Sequence, residues 1–356
     1  MNRFPLIDLL RGFSALLVLF YHVLAYRHWE GFQNSGLGKL PSLGWVGVDL
    51  FFVISGFVIA RTAMLGHLSA QPTWRFQYFE RRARRIVPLY IATLAIYIAL
   101  VYPNILGHGF ASLVHLFSHL TFTHNLWHET HGSINSPNWS VGLEVQFYIL
   151  IAVIAPWLVR THTLKAFAIL CAVALCWRFG STIVMPPGSS TPIIQFIYSS
   201  QLPGVLDEFA CGILVAKLAQ KGHLHFSASK FAVSFTCSIL LLALAWVTIG
   251  DGTQYWNSTA TIVFWRTLVC AGFAALLCCV VMISGDGGWV LRPFRYLGEI
   301  SYGIYLWHMP VLLVLVEKTP LSGFKLLATT ASLTVLLASL SWYGFEKHWM
   351  KSGRPT

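Results

Sequence analysis

Ten apolar stretches, each about twenty residues long, follow one another along this 356-residue chain. A helix of about twenty residues matches the hydrocarbon core of a bilayer. Hydrophobic residues make up 56% of the chain, charged residues only 10%, and the mean hydropathy of +0.65 excludes a soluble globular protein. We predict an all-α, polytopic membrane bundle with spans near 5–26, 44–62, 87–103, 139–159, 164–182, 204–219, 229–249, 258–283, 297–316 and 323–345.

The 24 lysines and arginines indicate how these spans are oriented. Seventeen of them fall on loops and tails of one side, counting Arg3 and Arg354 near the ends of the chain. Because cytoplasmic loops carry the excess of basic residues, we expect both termini in the cytoplasm and the protein in the inner cell membrane. The net charge of +11 does not indicate a nucleic-acid partner, since the basic residues flank hydrophobic spans rather than cluster in one domain.

The first span carries ionisable side chains at membrane depth, where they are costly and mark candidate functional sites. Arg11 and His22 are eleven residues apart. At ~100° per residue this is roughly three turns, so both lie on one helix face about 16 Å apart. Asp8, one turn before Arg11, can pair with the guanidinium. Snorkelling of the two side chains to opposite membrane surfaces is the alternative, but it does not require a shared face.

Three ionisable residues of other spans have depths similar to that of His22. Asp49 and Glu144 each lie about five residues from the outer end of their spans, and His308 lies beyond the middle of the ninth span. Each could instead make a single interhelical hydrogen bond. Four such residues at compatible depth favour a shared cluster in the outer half of the membrane.

The stretch 104–138 is too polar to span a membrane, and we interpret it as an interfacial or re-entrant segment on the outer face. It holds six histidines, of which His115/His119 and His124/His128 are spaced like metal ligands on a helix. Glu129 is the one suitably spaced acidic ligand, and the seven cysteines all lie in apolar segments. We therefore predict neither a metal site nor disulfide bonds.

A cluster of arginines precedes Pro88, between the second and third spans. Such a basic loop commonly reports topology or binds anionic lipids. Here the four basic residues are all arginines, whose guanidinium groups bind phosphate oxygens in pairs: Arg81, Arg82, Arg84 and Arg85. A phosphate-binding loop on the cytoplasmic side predicts a poly-phosphorylated donor such as a coenzyme A thioester.

Six fragments of the chain together resemble the membrane acyltransferase-3 family, which acylates carbohydrates and other surface or secreted molecules: DLLRGFSALLVLFYH, GVDLFFVISGF, RRARRIVPLY, NWSVGLEVQFY, LGEISYGIYLWHMPV and YGFEKHW. The resemblance covers nearly the whole chain. The family's motif of arginine, ten residues and histidine falls on Arg11 and His22. Its FFxxSG motif falls on Phe51, Phe52, Ser55 and Gly56, and its RxxR motif on Arg82 and Arg85.

The resemblance implies ten core helices, an acyl-CoA donor bound from the cytoplasm and a carbohydrate or lipid-linked glycan acceptor at the outer face. Acetyl-CoA is then a donor substrate, no cofactor is tightly bound, and membrane lipids surround the chain. Some relatives carry a C-terminal SGNH-type domain, whereas we expect residues 1–356 to be a single membrane domain without one. Val205 stands where we expect an arginine in many relatives, so acceptor contacts near Asp207 and Glu208 should differ.

These inferences assign roles to individual residues. We predict that His22 is the general base on the acceptor hydroxyl and that Glu144 or Asp49 orients its ring. His308 is the competing base or a donor to the oxyanion. For the donor, we predict Arg11 at the pantetheine or thioester, Ser55 at the acyl-CoA, and the CoA phosphates bound by Arg81, Arg82 and Arg85.

Ser55 could also form an acyl-enzyme intermediate, although a serine followed by glycine in a membrane helix more often permits close packing. The dipeptide Trp139-Ser140 at the outer interface is the predicted acceptor contact. A proton-coupled transporter or exporter would also place ionisable residues inside a bundle. The motifs are concentrated in the first 150 residues and the two halves show no repeat, which favours the enzyme.

Overall fold

The computed structural model describes residues 4–26, 42–188, 191–249, 255–283 and 285–351. Within these ranges, eight helices are long and apolar enough to cross a membrane, or nine if a pair bent by 70° forms one span. The prediction of a polytopic helical membrane protein is thus confirmed. Arg3 and Arg354, which the topology prediction counted on the inner side, lie outside the described residues.

Every predicted span coincides with a helix. The span predicted at 204–219 is a 15-residue helix, shorter than the eight candidates, and the one at 297–316 belongs to the bent pair. The helices are α1 Ile7–Tyr26, α2 Val46–Leu68, α3 Trp74–Leu100, α4 Phe110–Leu120, α5 Trp139–Arg160, α6 Thr163–Val184, α7 Pro192–Ser199, α8 Leu206–Gln220, α9 Ala228–Ile249, α10 Thr259–Met282, α11 Arg292–Glu299, α12 Ser301–Lys318, α13 Gly323–Ser341 and α14 Lys347–Lys351.

The chain forms two compact units. Unit 1 comprises residues 1–11, 48–72 and 146–295, and unit 2 comprises residues 12–47, 73–145 and 296–356. Unit 1 therefore holds most of α2 and all of α6 to α10. Unit 2 holds most of α1, all of α3 and α4, and the C-terminal helices α12 to α14.

Unit 1 is built on backbone contact between α2 and α8. A Cβ atom at Gly56 would overlap the carbonyl group of Phe209, and one at Gly212 would overlap the carbonyl oxygen of Val53. Small residues allow membrane helices to approach this closely. The ring of Phe209 also stacks on Phe147, with 3.8 Å between the ring centroids.

Unit 2 is organised around α12, which packs on α3 and α13. Tyr302 donates a hydrogen bond from its hydroxyl to the carbonyl oxygen of Ile86 at 3.0 Å. Asn135 donates from Nδ2 to the carbonyl oxygen of Leu306 at 3.2 Å, tying the segment before α5 to the same helix. These contacts fix the helix that carries His308.

The arginine cluster lies inside α3 rather than in a loop, so that part of the prediction is wrong. The helix begins at Trp74 and continues through Pro88. Glu80 stabilises this early part, because its Oε1 accepts a hydrogen bond from Arg84 Nη2 at 2.8 Å, one turn away. Arginine, alanine and glutamate are also good helix formers.

The segment between α3 and α5 does not span, as predicted. Its longest helix, α4, has 11 residues, which amount to about 16 Å. Phe110 and Phe117 of α4 point away from the protein, whereas Ser118 and His119 are buried. An apolar side that faces outward favours contact with lipid.

Candidate active site

Two histidines from distant parts of the chain meet in unit 2. The Nε2 atom of His308 lies 3.3 Å from Nδ1 of His22, and the ring centroids are 5.0 Å apart. His308 is buried and His22 is half-buried. Of the four residues predicted at a common depth, these two are in direct contact.

The hydrogen bonds of this pair fix where the protons of the two neutral rings lie. Nδ1 of His308 is 2.6 Å from the carbonyl oxygen of Tyr305, and Nδ1 of His22 is 2.9 Å from that of Val18. A carbonyl oxygen only accepts, so both Nδ1 atoms carry the proton. The single Nδ1 proton of His22 is then shared between the carbonyl oxygen of Val18 and Nε2 of His308, and Nε2 of His22 carries the lone pair that a general base needs.

Tyr305 and Ser140 join α12 to the start of α5 beside this pair. The hydroxyl groups of Tyr305 and Ser140 are 2.6 Å apart. The carbonyl oxygen of Pro137 lies 2.8 Å from the hydroxyl of Tyr305 and 3.1 Å from that of Ser140, so two hydroxyl protons are shared among three contacts. Ser140 is therefore part of the buried frame that fixes the backbone supporting His308.

Replacing Ser140 with alanine is expected to lower the stability of the protein. The substitution removes two buried hydrogen bonds, for a loss of roughly 1–3 kcal/mol. Thermal unfolding of the detergent-purified protein measures it. If stability is unchanged while the KM for the acceptor rises, Ser140 serves as the predicted acceptor contact and not as a frame residue.

Glu144 lies in α5, one turn after Ser140, and is half-buried. Its charge acts on the hydroxyl groups of Tyr302 and Tyr305 in α12. Its carboxyl group therefore lies near the helix that carries His308. Its predicted role in orienting His22 stays a prediction.

The predicted phosphate-binding arginines lie along α3. Arg81 is exposed and bonds to Gln77, and Arg82 lies over the ring of Tyr78. Arg85 is half-buried, and its charge acts on the buried carboxyl group of Glu346. Arg82 and Arg85 are three residues apart and so face the same side of α3.

Arg11 and Asp8 form the predicted pair within the first turns of α1. Nη1 of Arg11 lies 3.7 Å from Oδ1 of Asp8, and both side chains are about one-fifth exposed. Asp8 thus balances the charge of Arg11 at the start of the helix.

Asp49, in contrast, lies in a buried charged cluster of unit 1. Its Oδ1 is 3.9 Å from Nε of Arg266, whose Nη1 is 3.4 Å from Oε1 of Glu208. The neighbouring Asp207 pairs with Arg178 at 2.6 Å. Asp207 and Glu208 are fully buried.

The sequence reasoning missed the partners in this cluster, Arg178 and Arg266. Both lie inside strongly apolar helices, α6 and α10. An arginine at that depth is itself the signal that a buried carboxylate must be near.

Two histidines of the outer segment contact hydrogen-bonding groups of neighbouring residues. His119 contacts Tyr90 at 3.0 Å and Ser133 at 3.3 Å, and His124 contacts the carbonyl oxygen of Asn138 at 2.9 Å. Burial lowers the pKa of His124 to about 4, which keeps its ring neutral. The described ranges contain no group of three or more histidine, cysteine or acidic side chains suited to a metal ion.

The expected helical spacing of His124 and His128 is wrong. His124 belongs to a short 3-10 helix that ends at Leu126, so the two residues share no α-helical face. His124 instead stacks on His119, with 4.0 Å between the ring centroids.

Comparison with known proteins agrees with this architecture. A family model described as an acyltransferase domain matches residues 4–344. The chain belongs to this acyltransferase family. The family resemblance drawn from the six fragments is confirmed.

Named acyltransferases resemble the chain over nearly its whole length. It is 24% identical over 98% of its length to the peptidoglycan O-acetyltransferase OatA of Listeria monocytogenes, covering 56% of that protein. OatA of Staphylococcus aureus is 22% identical over 98% of the chain, which covers 57% of that protein. BcsY of Komagataeibacter xylinus, whose name describes a membrane-bound transacylase, is 28% identical over 88% of the chain, which covers 74% of it.

The chain spans about half the length of the curated O-acetyltransferases that it matches. No solved structure matches it significantly. Its acyltransferase motifs fall on α1, α2 and α3, which carry Arg11 and His22, Ser55 and Gly56, and Arg82 and Arg85.

Proposed function

We propose that this acyltransferase moves an acetyl group from cytoplasmic acetyl-CoA to a hydroxyl group of a carbohydrate at the outer face of the inner membrane. The observation that carries the proposal is the contact between His22 and His308. It supplies a neutral imidazole with an available lone pair inside a membrane domain. The cytoplasmic position of both termini is part of the proposal.

The reaction requires one proton to move from the acceptor to the leaving thiol. Nε2 of His22 accepts the proton of the acceptor hydroxyl as that oxygen attacks the thioester carbonyl. A carbon–oxygen bond forms and the carbon–sulfur bond breaks. The His22 imidazolium then returns the proton to the sulfur of CoA, so that the histidine ends the cycle neutral.

His308 orients His22 and stabilises its charged form. Its Nε2 accepts a hydrogen bond from Nδ1–H of His22. This hydrogen bond strengthens when His22 gains a proton. The carbonyl oxygen of Tyr305 holds the His308 ring in the required tautomer. We therefore assign to His308 the orienting role first considered for Glu144 or Asp49.

The donor is held by guanidinium groups. Arg82 and Arg85, on one side of α3, bind phosphate oxygens of CoA, with Arg81 one turn before Arg85 as a further contact. Arg11 binds the pantetheine or the thioester carbonyl. Ser55 lines the acyl-CoA path without becoming acylated, so the transfer takes place in one step.

The acceptor proposal rests on the relatives. Two of them carry names that describe peptidoglycan O-acetyltransferases, which supports a glycan of the cell envelope or its lipid-linked form. Trp139 lies at the start of α5 and stacks near His131, 5.9 Å between ring centroids. An aromatic face of this kind suits a sugar ring.

The dependence of turnover on acetyl-CoA tests the proposal directly. The purified full chain in nanodiscs is given acetyl-CoA and fragments of envelope glycans, and thiol release is measured. Replacing Arg85 with alanine should raise the KM for acetyl-CoA about tenfold or more, as expected for the loss of a charge-assisted contact.

Arg84→Ala is the matched control. It removes the same charge from the same helix, but this guanidinium is already engaged by Glu80 at 2.8 Å. We expect its KM to stay near that of the wild type. Equal effects of the two substitutions would show only a general electrostatic attraction, and absence of acetyl-CoA binding would favour the gradient-driven transporter.

A further inference from the structure

Unit 1 buries five charged side chains that the proposed chemistry does not explain. Asp49 comes from α2, Asp207 and Glu208 from α8, Arg178 from α6 and Arg266 from α10, and none is more than 5% exposed. Three carboxyl groups face two guanidinium groups. If all were ionised, the cluster would carry one uncompensated negative charge inside an apolar bundle, which is costly.

Asp207 and Arg178 form a complete pair by themselves. Nη2 and Nη1 of Arg178 lie 2.6 Å and 3.1 Å from the two carboxylate oxygens of Asp207. Thr267 donates a further hydrogen bond to Asp207, and Nη1 of Arg178 also donates to the carbonyl oxygen of Gly204. This bidentate geometry is that of an ionised carboxylate.

Arg266 alone therefore faces both Asp49 and Glu208. Its guanidinium contacts one oxygen of each carboxyl group. The other two oxygens, Oδ2 of Asp49 and Oε2 of Glu208, are buried and accept no hydrogen bond within the described part of the chain. The two carboxyl groups interact with each other. Two carboxylate charges that share one guanidinium group in a dry site cannot both persist.

We propose that Asp49 and Glu208 share one bound proton. The protonated carboxyl group donates its O–H to the other, which gives a partner to the oxygens that lack a donor. The five side chains then sum to zero charge, with Arg266 balanced by a single shared negative charge. The bound proton makes the cluster a neutral anchor that fixes α2 against α8 and α10.

The other groups around the pair do not change this count. Asp207 and Arg178 cancel each other, and the surroundings of the pair also include the titratable side chains of Tyr255 and Cys270. Cys171 and Cys211 also lie within reach of the cluster. Phenol and thiol groups are uncharged near neutral pH. The excess carboxyl group is therefore compensated by a proton.

Infrared difference spectroscopy of the full chain in nanodiscs detects the proton. We expect a protonated carboxylic acid band that shifts in heavy water and that is lost in both Glu208→Gln and Asp49→Asn. Either substitution leaves a single carboxylate paired with Arg266, which has no reason to hold a proton. The proposal is overturned if neither substitution removes a band, or if Asp49→Asn leaves the band of Glu208 in place.

Thermal unfolding separates this proposal from simple burial. Glu208→Gln replaces a carboxyl group of the protonated pair with an amide of nearly the same shape and keeps the cluster neutral. It should therefore shift the Tm by no more than about 2 °C. Asp207→Asn breaks a buried ion pair at the adjacent, equally buried position and should lower the Tm by roughly 5–10 °C. Equal losses of Tm in the two variants would contradict the shared proton.

If Asp207→Asn does not fold, the infrared spectrum and the Tm of Glu208→Gln still decide. Neither measurement depends on acyl transfer, so the outcome is independent of the proposed function.

Discussion

Replacing His22 with alanine should lower acceptor-dependent turnover of acetyl-CoA by about 10²–10⁴-fold, the usual contribution of a general base. His22 supplies the lone pair that receives the hydroxyl proton. The donor contacts on α3 are untouched, so binding of acetyl-CoA should remain close to that of the wild type. Thiol release and equilibrium binding, measured on the same nanodisc preparation, check the two parts separately.

Three comparisons make this result specific. His308→Ala should have a smaller effect than His22→Ala, because it removes the orienting ring and leaves the base. His128→Ala, at an exposed position of the outer segment, should be unaffected. Added imidazole should restore part of the activity of His22→Ala by occupying the vacated space. The opposite order, with His308→Ala the more damaged, would make His308 the base.

The proximity of His22 and His308 was partly predictable. Residue spacing gave each side chain a depth in the membrane, and the two depths agreed. Depth does not say which helices are neighbours or which way a side chain is turned about its helix axis. For this reason the same reasoning grouped Asp49 with the histidines, whereas the structure places Asp49 against Arg266 and Glu208.

The start of α3, near the arginines, was not predictable from the sequence in the same way. The predicted span began at residue 87, beside Pro88, and left the arginines in the loop before it. The structure instead continues α3 through Pro88, with Trp74 at its start. The arginine pairs consequently sit on a helical face, which sets their spacing more rigidly than a loop would.

The FFxxSG motif could be read in two ways from the sequence, as a nucleophile at Ser55 or as close packing at Gly56. The contact with α8 shows that Gly56 permits close helix packing. Its missing side chain leaves room for the carbonyl group of Phe209, and Gly212 leaves reciprocal room for Val53. Ser55 is half-buried in the same turn of α2.

Gly56→Ala should therefore destabilise the protein by about 1–3 kcal/mol or more, because the added methyl group must push α2 and α8 apart. Gly212→Ala should act in the same direction. Thermal unfolding and the yield of monodisperse protein in detergent measure the effect. A loss of activity without loss of stability would instead point to a direct role of this turn in acyl transfer.

Gly180→Ala provides the matched control, since Gly180 lies within α6 of the same unit and a Cβ atom there meets nothing within 4 Å. Alanine is the better helix former, so this substitution should be neutral or stabilise by up to about 1 kcal/mol. Ser55→Ala should fold normally and retain turnover if transfer takes one step. Complete loss of turnover in a stable Ser55→Ala protein, with a labelled acyl group trapped on the wild type, would establish the two-step path and leave to Gly56 the task of placing that serine.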